Sequence, residues 1–371
     1  RSSDLFNMAF ILSIRTETPP YYYSQEETKA FVSSLFRSTY KKIDRLLSVF
    51  QNGDIQGRYF SAPLEWFEDR RSFSEKNQRY IELATNLGTK AIEETLKNQH
   101  FLKKQIDYKE IDAIFFISST GISTPSIEAK IMNKLPFREN TKRIPIWGLG
   151  CAGGAAGLAR AYEYCKAFPK ENVLVLCVEL CSLTFQKDDV TKSNIIGTSL
   201  FADGVSCCLV SGKESALLQY SQLETIPKIM ESQSTFMSHS EDVMGWDVQD
   251  SGLHVIFSKD IPSIIKKWLK PNIEKFLNEH HLKMNDVSQI IAHPGGKKVL
   301  QAYEIALNLT ADHFYYPRKI LRHYGNMSSA TVLFVLTEIL KLKIKPNEFG
   351  LLFALGPGFS SECVLLQWQH V

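Results

Sequence analysis

The sequence predicts an α/β fold in which a buried sheet is covered by helices on both faces. Short, continuous apolar runs alternate with segments of helical periodicity, and several of these runs end in glycine-containing loops. Continuously apolar strands are typical of sheets buried on both faces, and their alternation with helices is typical of parallel crossovers. With 371 residues, 44% of them apolar, the chain can bury one large core or two modest ones.

The first half of the chain combines strands that are apolar throughout with helices that have a repeating apolar face. Pro125 stands in the predicted first turn of one helix, with Thr124 as its N-cap. The predicted elements, in order, are a helix over 74–98, a strand over 111–121, a helix over 123–135, a strand over 143–150, a helix after Cys151, and strands over 172–180 and 200–212.

The second half repeats this rhythm, with Pro262 and Pro271 at predicted helix starts. Its predicted elements are a helical region over 259–282, a strand over 287–296, helices over 297–307 and 328–343, and strands over 349–358 and 362–368. We therefore expect an internal duplication, with an N-terminal half over 8–215 and a C-terminal half over 216–371. Residues 1–7 are treated as a possible expression leader.

Composition and charge argue against several classes of function. The formal net charge of +3 is spread along the chain, so neither a nucleic-acid surface nor an acidic tail is expected. No apolar run reaches the roughly 18 residues of a membrane span, so no stable membrane insertion is expected. The seven cysteines lack paired CxxC spacing, which favours reduced, buried thiols in a cytoplasmic protein.

Cys151 is the most informative residue of the first half. It lies in "IPIWGLGCAGGAAGLARA", where a strand pattern breaks into glycines and then becomes a helix. A thiol at a helix start is exposed to the partial positive charge of unpaired N–H groups, which lowers its pKa and favours the thiolate. We therefore predict that Cys151 is a nucleophile with a lowered pKa.

A thiol nucleophile needs a base and a polarising group, and the second half offers both. His293 ends an apolar strand before a Pro-Gly-Gly turn, at the sheet edge where open α/β sheets bind ligands; a structural histidine is the alternative. Asn326 lies where a glycine-containing loop meets a helix, a position that by itself favours an N-cap.

Five motifs in order carry a family resemblance: "GLGCAGGAAGLARA", "FADG", "IAHPGGKKVL", "YGNMSSATVLFVL" and "ALGPGF". From about Met8 to its end the chain resembles type III polyketide synthases, the chalcone-synthase-like members of the thiolase superfamily. Within that family it looks closest to bacterial alkylpyrone and alkylresorcinol synthases. The resemblance implies a thiolase-like fold, with two duplicated α/β halves whose mixed sheets are covered by helices in αβαβα layers. It also implies a cytoplasmic homodimer.

The resemblance further implies that Cys151, His293 and Asn326 form a catalytic triad. In that family the cysteine accepts an acyl group from an acyl-CoA starter. The histidine and asparagine then stabilise the enolate that malonyl-CoA forms as it loses CO₂. Carried over to this chain, this predicts repeated decarboxylative Claisen condensation on a long-chain fatty acyl-CoA and cyclisation to alkylpyrones. No metal or redox cofactor is implied, because condensation needs neither.

The resemblance also assigns residues to the substrate cavity. Phe201 matches a residue between the CoA tunnel and the cavity, Cys181 gives a less polar lining that suits a hydrocarbon chain, and Thr124 aligns with a position where a partner subunit contributes to the wall. Ordinary core packing is the alternative for each residue. The expected cavity residues are Phe201, Cys181, Thr184, Thr124, Val255, Ser328, Gly356, Pro357 and Gly358.

The CoA site is matched by fewer residues. Arg45 corresponds to a family position that contacts CoA phosphates, and Lys298 follows the Pro-Gly-Gly turn at the expected tunnel mouth. A solvated lysine at a helix start is the alternative for Lys298. Gly295 and Gly296 complete the expected CoA-binding residues.

Three other functions stay open at this point. An alkylresorcinol-forming synthase would share the same motifs. A 3-oxoacyl carrier-protein synthase III shares the Cys, His and Asn chemistry, but its histidine usually lies in an "HQAN" context instead of "HPGG". A non-catalytic acyl-binding protein with the same fold would be expected to have lost at least one of the three catalytic residues, and all three are present.

Overall fold

The computed structural model describes residues 8–37, 43–258 and 260–370, and gives only the backbone of Asp44 and Arg45. The possible leader over 1–7 lies outside the described residues. The helices are α1 (Gln25–Phe36), α2 (Ile43–Gln51), α3 (Phe73–Leu96), α4 (Ile127–Met132), α5 (Gly153–Ala167), α6 (Lys192–Leu200), α7 (Ile261–Ile264), α8 (Lys270–Glu279), α9 (Lys297–Leu307), α10 (Tyr315–Tyr324) and α11 (Thr331–Leu340).

The strands fall into one large sheet and two hairpin-like pairs. Strands β2 (Tyr21–Ser24) and β3 (Gly57–Phe60) form one pair, and β9 (Met244–Gln249) and β10 (Gly252–Phe257) form the other. The large sheet contains β1 (Ala9–Glu17), β4 (Ala113–Ser118), β5 (Lys142–Trp147), β6 (Asn172–Leu180), β7 (Asp203–Gly212), β8 (Thr225–Phe236), β11 (Val287–Ala292), β12 (Phe349–Gly356) and β13 (Ser360–His370).

The nine strands of this sheet follow the order β11-β12-β13-β8-β1-β7-β6-β4-β5. Strand β4 pairs in parallel with β5 and β6, and β11 pairs in parallel with β12, whereas the other neighbours are antiparallel. The sheet is therefore mixed, as the family resemblance implies, because the last strands of each half return as hairpins.

The two halves repeat the same strand topology. In the first half β4 and β6 are parallel neighbours, followed by antiparallel β7 and β1. In the second half β11 and β12 are parallel neighbours, followed by antiparallel β13 and β8. The halves meet where Ala9 and Phe10 of β1 pair with β8.

Helices form the layers around these strands. Helix α3 packs against β1, β6 and β7 on one outer face, while α5 and α11 contact strands of both halves and lie between them. At this central contact an added Cβ at Gly154 would lie 2.2 Å from the carbonyl oxygen of Ser329. The glycine is therefore required for the close approach of the two central helices.

The observed elements agree with most of the predicted ones, and α4 is the clearest difference. Its N-cap position is Ser126 and the helix begins at Ile127, so Thr124 is not the cap. The region over 259–282 is interrupted by a π turn, Ile265–Leu269, just before Pro271. Within the described ranges, no helix has both the length and the hydropathy needed to cross a membrane.

Candidate active site

Cys151 lies in a short 3-10 turn, Gly150–Ala152, that leads from β5 into α5. Gly150 adopts a left-handed φ of +48°, and its N–H donates to the hydroxyl of Ser119 over 3.0 Å. The Cys151 side chain is 6% exposed. The glycines around the nucleophile thus let the backbone turn sharply between strand and helix.

The end of β12 packs against this turn. An added Cβ at Gly356 would lie 2.5 Å from the carbonyl oxygen of Leu149, and one at Gly150 would lie 2.7 Å from the ring of Pro357. Gly358 follows with a φ of +128°. The "GPG" segment is therefore a close-packed support for the Cys151 turn, and its glycines act through backbone shape.

His293 is placed by the second half, immediately after β11. Its N–H donates to the carbonyl of Phe353 in the neighbouring strand β12 over 2.9 Å, which fixes the backbone at the carboxyl edge of the sheet. The imidazole is buried, and neither ring nitrogen has a hydrogen-bond partner among the described residues. Buried polar groups are normally paired, so the unpartnered imidazole is available to bind another group.

Asn326 connects the two halves of the site. Its backbone pairs with the segment around Phe201, and its Oδ1 lies 3.9 Å from Cys151 Sγ. The N–H of Ser328 donates to the same Oδ1 over 2.8 Å, which fixes the orientation of the amide. The Nδ2 group lies 3.4 Å from the carbonyl oxygen of Gly295, two residues beyond His293.

Asn326 is not a helix cap, because α11 begins at Thr331 with Ala330 at its N-cap position. Its Oδ1 instead accepts from a backbone N–H two residues later, as in an Asx turn. Ser328 in turn holds a left-handed φ of +47° beside Cys151. The amide donor of Asn326 is therefore free of helix capping and points toward the His293 loop.

The predicted lowering of the Cys151 pKa is wrong for this arrangement. Burial, together with the negative charge of Glu179, raises the pKa of the Cys151 thiol to about 12 despite a hydrogen bond from Ser328. Burial likewise lowers the pKa of His293 to about 3. Neither a thiolate at Cys151 nor an imidazolium at His293 is stable alone in these buried positions. Without substrate, the site therefore holds a neutral thiol and a neutral imidazole.

Glu179 is a member of the site that the sequence analysis missed. It is the penultimate residue of β6 and is fully buried. Its carboxylate accepts from the hydroxyls of Ser329 and Thr120 over 2.5 and 2.9 Å and from the N–H of Ser119 over 3.1 Å. Burial nevertheless raises its pKa to about 7. A glutamate at the end of the apolar run "NVLVLCVEL" was the available signal, because this residue type is rarely buried without partners.

Next to this site lies an apolar cavity, whose empty volume of about 530 Å³ includes space open to the solvent. Cys181 lines this cavity; burial raises the pKa of its thiol, and a thiolate at Cys151 would raise that pKa further, so the two cysteines lie close together. Four predicted cavity residues meet in this space. The lining residues are Thr28, Phe31, Val32, Arg58, Phe60, Leu64, Phe67, Cys181, Ser182, Thr184, Phe185, Asn194, Gly197, Thr198, Phe201 and Val255.

Arg58 is a second residue that the sequence analysis missed. It is 1% exposed, and its Nη1 donates to the carbonyls of Thr198 and Phe201 over 2.7 and 2.6 Å. Burial lowers its pKa to about 9, and Asp203 opposes this effect. The guanidinium therefore holds in place the segment with which Asn326 pairs.

Comparison with known proteins identifies the family of this chain. Residues 7–214 match "Chalcone and stilbene synthases, N-terminal domain", and residues 228–369 match "Chalcone and stilbene synthases, C-terminal domain". The chain belongs to the chalcone and stilbene synthase family. It is thus a type III polyketide synthase, a decarboxylating condensing acyltransferase of an enzyme class that uses CoA thioesters.

Relatives of this type III polyketide synthase match over nearly their whole length. It is 53% identical over 363 residues to a protein of Bacillus subtilis (strain 168) named "Putative chalcone synthase", covering 98% of this chain and 99% of that protein. A 1,3,6,8-tetrahydroxynaphthalene synthase of Streptomyces peucetius subsp. caesius is 30% identical over 359 residues, covering 96% and 93% of the two chains.

The fold agrees with a solved structure of the same class. The crystal structure of 1,3,6,8-tetrahydroxynaphthalene synthase from Streptomyces coelicolor A3(2) superposes with a TM-score of 0.89 at 26% identity. The match covers 98% of this chain and 100% of the other. The predicted thiolase-like α/β fold is therefore confirmed.

Three predicted residues remain, namely Thr124, Lys298 and Arg45. Thr124 is exposed and lines a separate surface depression with Trp147, outside the apolar cavity. Lys298 is exposed in the first turn of α9, after Gly296, and within the described ranges it has no ion pair. The Arg45 side chain lies outside the described residues.

Proposed function

We propose that this enzyme extends long-chain fatty acyl-CoA starters with malonyl-CoA and releases alkylpyrones. The apolar cavity carries this proposal, because it is lined by Cys181, a near neighbour of Cys151, by several aromatic side chains and by residues of α1. An alkyl chain in this space would be removed from water along its length, and each buried methylene contributes about 0.8 kcal/mol.

The first step loads the starter on Cys151. The Sγ proton moves to the imidazole of His293 as the sulfur attacks the thioester carbonyl carbon. A carbon–sulfur bond forms to Cys151, the bond to CoA sulfur breaks, and the departing CoA thiolate takes up the proton. Coupling thiolate formation to imidazolium formation avoids a lone buried charge, which is the physical reason for pairing these two residues.

The second step makes the extender nucleophile. Malonyl-CoA loses CO₂, and the electron pair of the broken carbon–carbon bond passes to an enolate whose oxygen accepts hydrogen bonds from His293 and from Asn326 Nδ2. The unpartnered imidazole and the fixed amide support this role. The enolate carbon then attacks the Cys151 thioester, expels the thiolate and leaves a β-ketoacyl-CoA.

Repetition and ring closure complete the reaction. After the lengthened chain returns to Cys151 and a second condensation follows, an enol oxygen of the triketide attacks the thioester carbonyl. The carbon–sulfur bond breaks, and the product leaves as a six-membered lactone. Phe201, Val255 and Thr184 shape the space for this step, and the Gly356–Gly358 segment supports it from the nucleophile side.

For CoA we propose the loop that follows His293. Gly295 and Gly296 bring the backbone close to the thioester, and Lys298 supplies an exposed cation for a phosphate group. Lys297 is less suited because its Nζ is paired with Asp54 at 2.9 Å. Arg45 is kept in this proposal from the sequence alone.

We also propose that the enzyme is a cytoplasmic homodimer that associates through the edge strand β5. This strand ends the large sheet, and beside it Trp147 and Ile122 are 50% and 49% exposed. Such a patch is typical of an association surface. Thr124 lies in the same depression, so in a dimer that associates through this surface it would face the cavity of the partner subunit.

The chain is further proposed to divide into halves at 8–215 and 216–371. The repeated strand order supports this division.

The test is a product analysis with malonyl-CoA and a ladder of acyl-CoA starters from two to about eighteen carbons, read by mass spectrometry. We expect alkylpyrones from long starters, their loss in Cys151→Ala, and their retention in Cys363→Ala, a matched change of a buried cysteine in β13. Alkylresorcinols instead of pyrones would correct the product. Turnover only with malonyl carrier protein, stopping after one condensation, would contradict the proposal.

A further inference from the structure

Helix α1 contributes Thr28, Phe31 and Val32 to the wall of the apolar cavity. A second hollow, here called the surface hollow, also adjoins α1. It is lined by Phe31, Ser34, Leu35, Phe36, Glu68, Lys187, Asp188 and Val190. Among the described residues, Phe31 is the one that lines both spaces.

The two spaces that Phe31 separates differ in chemistry. On the inner side the aromatic rings of Phe60, Phe67 and Phe185 follow one another at centroid distances of 6.2 and 6.1 Å. The surface hollow contains charged groups: Lys187 donates from Nζ to the carbonyl of Glu68, and Asp188 pairs with Arg70 at 3.0 Å. A hydrocarbon chain is thus favoured in the apolar cavity, whereas in the surface hollow it would meet charged groups as well as apolar ones.

The side chains of Thr28 and Val32, which neighbour Phe31 on α1, are held more firmly than the Phe31 ring. Val32 is fully buried in the cluster between α1, α2 and α6, and Thr28 is held by a hydrogen bond of 3.0 Å from its hydroxyl to the carbonyl of Ser24. Phe31 packs against that cluster from a partly buried position. Its ring can therefore turn toward the surface hollow without opening the core.

We propose that Phe31 sets the upper length of the starter chain by closing the end of the apolar cavity. This inference rests on the proposed use of long-chain acyl-CoA. Each methylene that fits before Phe31 raises kcat/KM by about fourfold, equivalent to about 0.8 kcal/mol. A longer chain has to displace the ring and gains nothing in the polar hollow. The length profile therefore rises with each carbon and falls after the limit.

The experiment compares the starter-length profiles of wild type, Phe31→Ala and Leu35→Ala, from about eight to about twenty-two carbons. Leu35 is the matched control, because it lies one turn further along α1 and lines only the surface hollow. We expect Phe31→Ala to move the optimum to longer starters by about two carbons or more, since large-to-small changes leave a cavity. Leu35→Ala should keep the wild-type optimum.

Phe31→Trp is the converse variant, and it should shorten the optimum because a larger ring fills the end of the cavity. An unchanged optimum in Phe31→Ala, or an equal shift in Leu35→Ala, would overturn the role of Phe31. If Phe31→Ala does not fold, the Phe31→Trp profile decides the question. If the wild-type enzyme decarboxylates malonyl-CoA but extends no long starter, the proposed function is overturned instead. Failure of the proposed function and failure of the role of Phe31 are therefore distinguishable.

Discussion

The start of α5 and the start of α11 have the same backbone design but different chemistry. Each helix is preceded by a 3-10 turn, Gly150–Ala152 in the first half and Ser328–Ala330 in the second. Each turn begins with a left-handed residue, with φ of +48° at Gly150 and +47° at Ser328. The duplication therefore extends from the strand topology to the turns that carry the active site.

The two turns differ in what their second residue does. In the first turn this residue is Cys151, whose Sγ lies 3.9 Å from Asn326 of the other half. In the second turn it is Ser329, whose hydroxyl donates to Glu179 of the first half over 2.5 Å. Each turn is thus completed by the opposite half. Equivalent positions of the two turns therefore carry different groups, a thiol beside Asn326 in the first half and a hydroxyl that holds Glu179 in the second.

The largest effect is expected when the donor of the second half is removed. Asn326→Asp keeps the oxygen that accepts from Ser328 but loses the Nδ2 donor, so it should lower malonyl-CoA decarboxylation by about 10²- to 10³-fold. Release of CO₂ from malonyl-CoA measures this step. Cys151→Ala should keep decarboxylation, because the enolate is stabilised by the second half.

The control for the added carboxylate is Asn172→Asp. Asn172 is buried at the end of β6 opposite Glu179, and its Nδ2 donates to the carbonyl of Glu110. It should leave decarboxylation close to wild type if it folds. Equal losses in both variants would show a general folding defect and contradict the assignment of Asn326.

Elements of this fold were predictable where local pattern and tertiary environment agree. The run "NVLVLCVEL" is apolar throughout, and β6 covers the predicted residues 172–180 because both faces of that strand are packed. Helix α9 likewise covers the predicted 297–307. The N-cap of α4 was not predictable, because Pro125 and Ser126 both offer acceptable starts from the sequence alone.

The chemistry of the site was less accessible than its positions. Cys151, His293 and Asn326 were predicted from motifs; the structure places Asn326 3.9 Å from Cys151 and 3.4 Å from the carbonyl oxygen of Gly295 in the loop after His293. The predicted direction of the shift in the Cys151 pKa was wrong. Residues distant in sequence bury the thiol, and Glu179 adds a negative charge; together these effects outweigh that of the local helix start. Thr124 was predicted to reach the cavity of a partner subunit, and the fold places it in a separate surface depression; its role in a dimer stays a prediction.

The next largest effect concerns the contact between the two turns. Gly154→Ala adds a Cβ that would lie 2.2 Å from the carbonyl oxygen of Ser329. Overpacking of this kind costs about 1–3 kcal/mol, which exceeds the ~1 kcal/mol that alanine gains over glycine in a helix. We expect a lower free energy of unfolding in urea. Gly245→Ala is the control, because nothing lies within 4 Å of its added Cβ; equal stability of both variants would argue against a tight central contact.

The smallest effect tests how Glu179 acts on the nucleophile. The pKa of Glu179 is raised to about 7, so it is protonated in acid and negative in base, where its charge raises the pKa of Cys151. Glu179→Gln removes that charge. Alkylation of Cys151 by iodoacetamide should become faster by up to about tenfold at about pH 8.5, equivalent to about one pKa unit, and stay unchanged at about pH 5.

The control is Glu362→Gln, at another buried glutamate with a raised pKa, whose carboxylate accepts from Ser234 and whose charge acts on Cys363 instead of Cys151. Alkylation is assigned to Cys151 by peptide mass mapping. A rate increase that is the same at both pH values would mean that Glu179→Gln loosens the turn and exposes the thiol. A pH-dependent increase confined to Glu179→Gln would show that the first half carries both the nucleophile and the charge that restrains it.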